Sequence, residues 1–439
     1  MLATLACLSA LLATPVDPLP RRGTIGIPVS VTPAATLKEA GITTIGITVG
    51  DVPEAAQRQG ELKKGDIIIA IDDKPFAATS AYVDAIRHAP VGRKITVQVL
   101  RDGKKVNASW QTVAKPNEVA EKYDVLYESV QTGKWRVRTI LTKPKGVAKA
   151  PMLVWIQGLG GSSMDYPLTA GNNVARILRA FAEDGYATMR IEKLGIGDSE
   201  GDPSGDRSYD EETDIYRQAI KSLDGYSFVD RQKVFVFGHS MGGCHAPIVA
   251  VDVPVAGIIA YGTVSYSWLE WAIRAAREQA ILGGEKGSAV DARVRKIVAW
   301  YNALYTQKLS PDEIVKRHPE LAEIRDEEMP GGKMSGRTVE YFVQLNDKNF
   351  ASYWERLGKT RVLALYGEND FVAQEGDHPH IATVVNAANP GMGTYQKLPG
   401  IDHFFSKTTT PGDSLKGMTE GRPFEPSIIP AIKKWIEAG

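Results

Sequence analysis

The sequence predicts an α/β chain: a mostly parallel sheet covered on both faces by helices, preceded by a small α+β domain of short strands. Three observations lead there. From residue 152 onward, short continuous apolar runs alternate with amphipathic helical patterns, which is how strands buried on both faces read. From 23 to about 113 the pattern is instead short alternating strands broken by turns. Between the two, residues 117–122 are mostly polar and charged and mark a boundary.

Taken in order, residues 2–13 are an apolar, small-residue run followed by Thr14, Pro15 and polar sequence. The run has the character of a secretory h-region and cleavage zone, although no basic n-region precedes it. Residues 1–20 are therefore expected to be a signal or an apolar tail, and the expected location is secreted or periplasmic, with cytoplasmic as the alternative. Residues 23–31 and 42–49 alternate apolar with small or polar residues and suit half-buried strands. After the turn through Gly65 and Asp66 come the apolar strand 67–71, a helical pattern at 80–88 (Tyr82, Ala85, Ile86) and an alternating strand at 94–100.

In the second part, 152–156, 187–191, 234–237, 256–261 and 361–366 read as strands, and 174–183 and 211–223 as amphipathic helices. Residues 263–358, between the last two strands, carry aromatic and charged residues at helical spacing and read as a helical lid. The domains expected are thus 21–116 and 120–439, the second with its lid at about 263–358.

Composition narrows the function. The 439 residues hold 52 Lys and Arg against 52 Asp and Glu, a net charge of zero. That balance argues against a protein built to hold nucleic acid or an anionic membrane, both of which need clustered positive charge. The two cysteines, Cys7 and Cys244, exclude a disulfide scaffold and a thiolate metal site. No later segment has about 18 uninterrupted apolar residues, so no membrane span is expected. Neither a metal nor a cofactor is called for.

The chemistry-bearing motif is Val234-Phe235-Val236-Phe237-Gly238-His239-Ser240-Met241-Gly242-Gly243. A Gly-x-Ser-x-Gly spacing between an apolar strand and a helix-compatible run builds a sharp turn that lifts the serine hydroxyl off the sheet edge. Gly238 and Gly242 are needed where the flanking backbones pass closely. Such a serine requires a base, and the base an orienting acid. Of the seven histidines, His88 falls in the first domain, His318 in the lid, and His239 and His245 on the elbow itself. His378 and His380 flank Pro379 in what reads as a surface loop. His403, in a loop after a late apolar-to-turn transition, is the expected base. Asp370, just past the strand 361–366, is the expected acid; Glu368 is its rival, and Asp402 is too near His403 in sequence.

An oxyanion hole would take one N–H from Met241. It would take a second from the glycine-rich loop Gln157-Gly158-Leu159-Gly160-Gly161, with Leu159 as donor. That loop lacks the Gly-Lys-[Ser/Thr] ending of a nucleotide site. The Gly195-to-Gly201 segment is read as a turn shaping the pocket.

Two resemblances follow from these residues. Ala55-Ala56, Leu62-Lys63-Lys64-Gly65-Asp66 and Ile67-Ile68-Ile69 resemble the corresponding places of a PDZ domain. Its carboxylate loop would be either Gly23-Thr24-Ile25-Gly26 or Gly41-Ile42. This implies a groove for a peptide, or else a packing domain without a ligand. From about 120 to 439 the chain resembles an alpha/beta-hydrolase of the serine esterase and serine aminopeptidase-like group. Gln157 stands at the histidine of that family's His-Gly oxyanion motif, and Leu194 to Gly201 matches its Arg-Gly-x-Gly-x-Ser-x-Gly segment without the arginine. The order Ser240, Asp370, His403 is the family's order.

The expected function is a serine hydrolase cleaving carboxylic esters through an acyl-enzyme, on a small-molecule ester or acyl substrate. The lid rings Trp268, Trp271, Tyr301, Tyr305, Tyr341 and Phe342 would suit an apolar acyl group unless they form the lid's own core. A serine peptidase using the PDZ-like domain to present peptide ends is one alternative. A PDZ-type binding module with a secondary hydrolase fold is another.

Overall fold

The computed structural model describes residues 19–77, 79–87, 89–167, 171–202, 204–417 and 422–439, so the apolar run at 2–13 and His88 lie outside the described residues. The chain divides into two compact units, 19–119 with 165–172, and 120–164 with 173–439. Each has its own hydrophobic core.

The smaller unit holds a six-stranded antiparallel sheet in the order Val29–Val31, Ile47–Val49, Ile67–Ile71, Lys94–Arg101, Lys104–Gln111, with Lys74–Pro75 folded back onto Ile67–Ile71. The strand Lys104–Gln111 escaped the sequence reading because only Ala108 and Trp110 turn inward while five of its eight residues are exposed. The single strand expected over 23–31 is two. Gly26 (φ +74°) and Pro28 break it, and Gly23–Thr24 pairs with Val113–Ala114 instead. The buried Trp110 Nε1 donates to the Ile25 carbonyl at 2.9 Å, closing this corner.

Gly41 (φ +68°) ends the helix Ala34–Glu39. Its N–H bonds to Lys38 O and that of Ile42 to Leu37 O, a Schellman arrangement. Gly41 is therefore a helix stop.

The larger unit is built on an eight-stranded sheet. Its strands are β1 (Tyr123–Thr132), β2 (Trp135–Pro144), β3 (Ala150–Ile156), β4 (Ala187–Ile191), β5 (Val229–His239), β6 (Gly257–Tyr261), β7 (Arg361–Gly367) and β8 (Gly393–Leu398). They lie in the order β1-β2-β4-β3-β5-β6-β7-β8, with β2 antiparallel to both of its neighbours, β1 and β4, and with β4, β3 and β5 through β8 parallel. The parallel strands β3, β4 and β6 are apolar almost throughout because both faces are covered. On one face lie Asn173–Glu183 and Ile428–Glu437; Trp435 of the latter packs edge-on against Phe235. Tyr209–Ser222 and Met241–Asp252 pack together on the sheet separately from that pair.

Elements not foreseen include the β1–β2 hairpin, β8, and the helices Asp377–Ala388, Pro411–Lys416 and Ile428–Glu437. β2 reads as polar because Arg138, Thr139 and Thr142 are buried in it. β8 is an edge strand with one fully buried residue. The helix Asp377–Ala388 begins where a surface loop was expected around Pro379, and His378 is buried rather than superficial. Proline is tolerated in a first turn because its missing N–H would be unpaired there anyway.

Residues between β6 and β7 form the helices Trp268–Leu282, Gly287–Tyr301, Pro311–Arg317, Ala322–Glu328, Val339–Asn346 and Phe350–Glu355. Capping boxes at Ser267 with Glu270 and Ser310 with Glu313 fix two of their starts. Trp268, Tyr301, Tyr305, Tyr341 and Phe342 are buried in the core of this insertion and of the sheet beneath it. Half-buried Trp271 donates its indole N–H to Val372 O. Most of the insertion's rings are therefore spent on packing. Among the described residues no helix is long and apolar enough to cross a membrane.

Candidate active site

β5 delivers Ser240 to the sheet edge, and the helix Met241–Asp252 starts directly behind it. The backbone of Ser240 sits at φ +54°, ψ −123°, a conformation disfavoured for a side-chain-bearing residue. Its N–H bonds to Tyr261 O at 2.9 Å on β6, and its carbonyl takes the N–H of Gly243. The glycines are required by space. A Cβ on Gly238 would come 2.6 Å from Gly242 O, and one on Gly243 2.5 Å from the Thr263 side chain. A Cβ on Gly242 would collide with the Ile156 carbonyl at the end of β3.

Asp370 follows β7 and His403 follows β8. Asp370 Oδ2 and His403 Nδ1 are 2.8 Å apart, and both side chains are buried. The other oxygen, Oδ1, accepts the backbone N–H groups of Val372 and Ala373 at 2.8 Å each. In the tautomer that gives Nδ1–H to Asp370, Nε2 carries the ring's lone pair.

Glu368 is elsewhere: it is exposed and accepts the N–H of Gly400 at 3.0 Å. Asp402 shapes the histidine loop, taking N–H bonds from Phe404 and Ser406 and the hydroxyl of Ser414. Its own carbonyl accepts Tyr261 Oη–H at 2.6 Å. Burial raises its carboxyl above the usual range.

The acid–base pair abuts the turn that holds the serine. Gly262 follows Tyr261 at φ +59°, and a Cβ there would lie 2.9 Å from both Asp370 Oδ2 and His403 Nδ1. His239, one residue before Ser240, has its ring centroid 4.9 Å from that of His403. Its Nε2 donates to His403 O at 2.9 Å, so the tautomer carries its proton there. Burial, reinforced by His403, lowers His239 to about 3 and keeps it neutral.

The loop after β3 runs past the serine: a Cβ on Gly158 would stand 3.0 Å from Ser240 Cβ. Gln157 is buried and donates to Ile191 O, tying this loop to β4. The segment from Gly195 to Gly201 was expected to shape a pocket. Two of its side chains bind β2, Asp198 paired to Arg138 and Glu200 to Arg136.

Three charged residues beside the loop went unnoticed in the sequence. Lys193 Nζ donates to Gly158 O at 2.6 Å and to Leu159 O at 3.3 Å. Arg337 Nη2 donates to Leu159 O at 2.7 Å. Glu212 bridges the two cations, 2.9 Å from Lys193 and 2.7 Å from Arg337, and all three side chains are at most 3% exposed. Burial pushes Glu212 up, but the two cations outweigh it and hold the carboxyl well below the usual range. Lys193 goes the other way, lowered to about 8: one carboxylate shared between two cations does not offset its burial. The available signal was positional. Lys193 stands just past the carboxyl end of β4, and Glu212 sits on the buried stripe of its helix beside Tyr209, Thr213 and Tyr216. Among the described residues no cluster of three or more His, Cys, Asp or Glu could hold a metal ion, and Cys244 is a buried free thiol.

Comparison with known proteins bears on both units. A family model for the PDZ domain matches residues 23–112, and one for serine aminopeptidase, S33, matches residues 169–404. The periplasmic serine endoprotease DegP of Escherichia coli is 34% identical over 58 residues, 13% of this chain and 12% of its own length. The quorum-quenching protein AidA of Acinetobacter baumannii is 27% identical over 112 residues, 26% of this chain and 34% of its own. The chain thus spans only a minor part of these relatives. Est1E from Butyrivibrio proteoclasticus is a similar solved structure at 16% identity and TM-score 0.43, covering 71% of this chain and 99% of its own. A carboxyl esterase from Bacillus coagulans has 16% identity and TM-score 0.41, covering 72% and 100%. Matched by its model over more than half of the 439 residues, the chain belongs to the serine aminopeptidase S33 family of alpha/beta-hydrolases and carries an N-terminal PDZ domain.

Proposed function

We propose that this hydrolase cleaves carboxylic esters of small molecules through Ser240, His403 and Asp370. The observation that carries the reading is the 2.8 Å pairing of His403 Nδ1 with Asp370 Oδ2 against the turn that holds Ser240 in its strained conformation. His403 Nε2 takes the Ser240 proton as Oγ attacks the carbonyl carbon. Asp370 fixes the tautomer and stabilises the imidazolium that forms. The tetrahedral oxyanion is held by the N–H groups of Met241 and Leu159. Collapse expels the alcohol, protonated by His403, and leaves an acyl-serine. Water, deprotonated by the same nitrogen, then releases the acid. No cofactor or metal enters the scheme.

In this reading residues 21–116 are the PDZ-like domain and 120–439 the hydrolase domain, with the helices at about 263–358 serving as its lid. The likeness of the PDZ segment to a periplasmic endoprotease supports an exported location. The family description, serine aminopeptidase, favours a second reading: a peptidase whose PDZ domain presents peptide ends.

Nitrophenyl esters of graded chain length, run beside peptide anilides on the wild type and Ser240→Ala, test both. Ester turnover lost in the variant, with silent anilides, is the expected result. Ser240-dependent anilide turnover would replace the esterase by the peptidase. Turnover of neither type, or turnover that survives Ser240→Ala, would overturn the serine mechanism.

A further inference from the structure

A lysine, an arginine and a glutamate sealed from water are a costly way to fill a core. Apolar side chains of similar volume commonly stabilise as well or better. Two of the three charges here spend donors on one object, the carbonyls of Gly158 and Leu159. Arg337 is brought to it from the helical insertion by a tight turn, Met334 to Arg337, closed by hydrogen bonds in both directions, with Ser335 and Gly336 at positive φ. Its guanidinium also lies over the Tyr341 ring, 4.7 Å from the centroid. Lys193 comes from the sheet itself, just past β4.

A trans peptide unit is planar, and its C=O and N–H point in opposite directions. Holding Gly158 O toward Lys193 therefore turns the N–H of residue 159 the opposite way. Holding Leu159 O toward Arg337 does the same for the N–H of residue 160. Neither N–H can rotate without breaking a charge-assisted hydrogen bond in a low-dielectric setting. Cationic partners on the carbonyls also polarise the two amides and make their N–H groups stronger donors. The loop itself is glycine-rich and would otherwise sample many orientations.

We infer that Lys193 and Arg337 are positioning residues of the loop after β3: Lys193 orients the oxyanion-binding N–H of Leu159 by gripping the Gly158 carbonyl, and Arg337 fixes the following peptide by gripping the Leu159 carbonyl. The inference rests on the serine-hydrolase reading, since it assigns a support to the oxyanion hole of that mechanism. Neither side chain touches the reacting atoms. Glu212 keeps the two cations from repelling each other and fixes where their donors point. Because Arg337 belongs to the insertion, the oxyanion loop and the insertion share one anchor. A displacement of the turn around Arg337 is then felt at the oxyanion hole.

The test is steady-state kinetics of the full chain on a nitrophenyl ester that shows Ser240-dependent turnover. Lys193→Met should lower kcat by about 10- to 100-fold with KM within about twofold, the size expected when a catalytic group is misplaced without losing substrate contacts. Lys193→Arg, which keeps a cationic donor, should recover most of the loss. Should Lys193→Met not fold, Arg337→Lys keeps the charge beside Glu212 while giving up the forked donors, and should still lower kcat by about 3- to 10-fold at constant KM. Unchanged kcat in a folded variant, or a loss confined to KM, overturns the inference while leaving the mechanism standing. Turnover that survives Ser240→Ala overturns the mechanism and the inference with it.

Discussion

Two buried carboxylates of the larger unit, Asp370 and Glu212, engage nitrogen donors to opposite ends. Asp370 spends one oxygen on two backbone N–H groups and the other on His403, whose second nitrogen has no part in the pair. Glu212 instead lies between Lys193 and Arg337, with Tyr216 and His245 also at hydrogen-bonding or ion-pair range of Oε1. Its partners turn their remaining donors onto backbone. The first arrangement leaves a reactive lone pair; the second consumes its capacity in fixing a loop. A buried charge network is thus read by what it leaves unsatisfied, not by how perturbed its members are. Lys193 and Glu212 are strongly shifted, as catalytic residues often are, yet their geometry is that of a support.

The comparison breaks most sharply at Asp370. Asp370→Asn keeps the shape but offers His403 a donor or a neutral acceptor in place of the carboxylate. It should lower kcat by about 10⁴-fold, the scale seen when a triad acid is neutralised. Glu368→Gln should change kcat by less than about twofold, since Glu368 only caps the turn at Gly400. A larger loss from Glu368→Gln than from Asp370→Asn would reverse the assignment.

At Glu212 the expected loss is in stability. Glu212→Gln leaves two buried cations facing each other and should cost about 3–5 kcal/mol, read as a lower denaturation midpoint. The pH dependence follows from the direction of its shift. The folded carboxyl lies below its unfolded value, so its contribution is fully present above about pH 4.5 and is lost as pH falls through and below that value. The wild type should lose stability steeply from pH 5 to 3, and Glu212→Gln should lose distinctly less over that range. Parallel curves would show that Glu212 is not the group being protonated.

The contrast also explains what the sequence disclosed. Ser240, Asp370 and His403 sit where local chemistry announces itself: a strand, then a glycine or turn, then the residue. β3, β6 and β7 were legible because strands buried on both faces are mainly apolar, and β4 was legible through Ala187, Met189 and Ile191 despite its buried Thr188 and Arg190. β2 was not, because its Arg138, Thr139 and Thr142 are buried polar groups, and Arg138 and Thr142 find partners far along the chain in Asp198 and Thr188. Lys193, Glu212 and Arg337 failed for the same reason. Each looks like a solvated surface residue alone, and only the fold brings positions 193, 212 and 337 together. His378 was misjudged because a proline beside a histidine suggests a loop, whereas here Pro379 lies in a helix's first turn.

Smaller effects sharpen the comparison at the catalytic end. Gly262→Ala places a methyl 2.9 Å from both members of the acid–base pair at a backbone φ of +59°. Something must shift, and kcat should fall by about 10- to 100-fold while KM holds. An unaffected kcat would mean the pair tolerates displacement.

A small change is expected at His239, although it is the histidine beside the serine. Its ring packs between Trp155, Phe405 and His403, and its Nε2–H is bonded to His403 O. His239→Gln retains an N–H donor of similar reach, so the cost should be about 1 kcal/mol in stability and a few-fold in kcat. The informative readout is the pH–rate profile. Burial holds His239 near 3, far below the working range, so it stays neutral from pH 5 to 9 and contributes no limb there. The profiles of wild type and His239→Gln should superimpose in shape over that interval. A displaced acid limb in the variant would mean that His239 takes up a proton during turnover, and that the base is shared between two imidazoles rather than vested in His403.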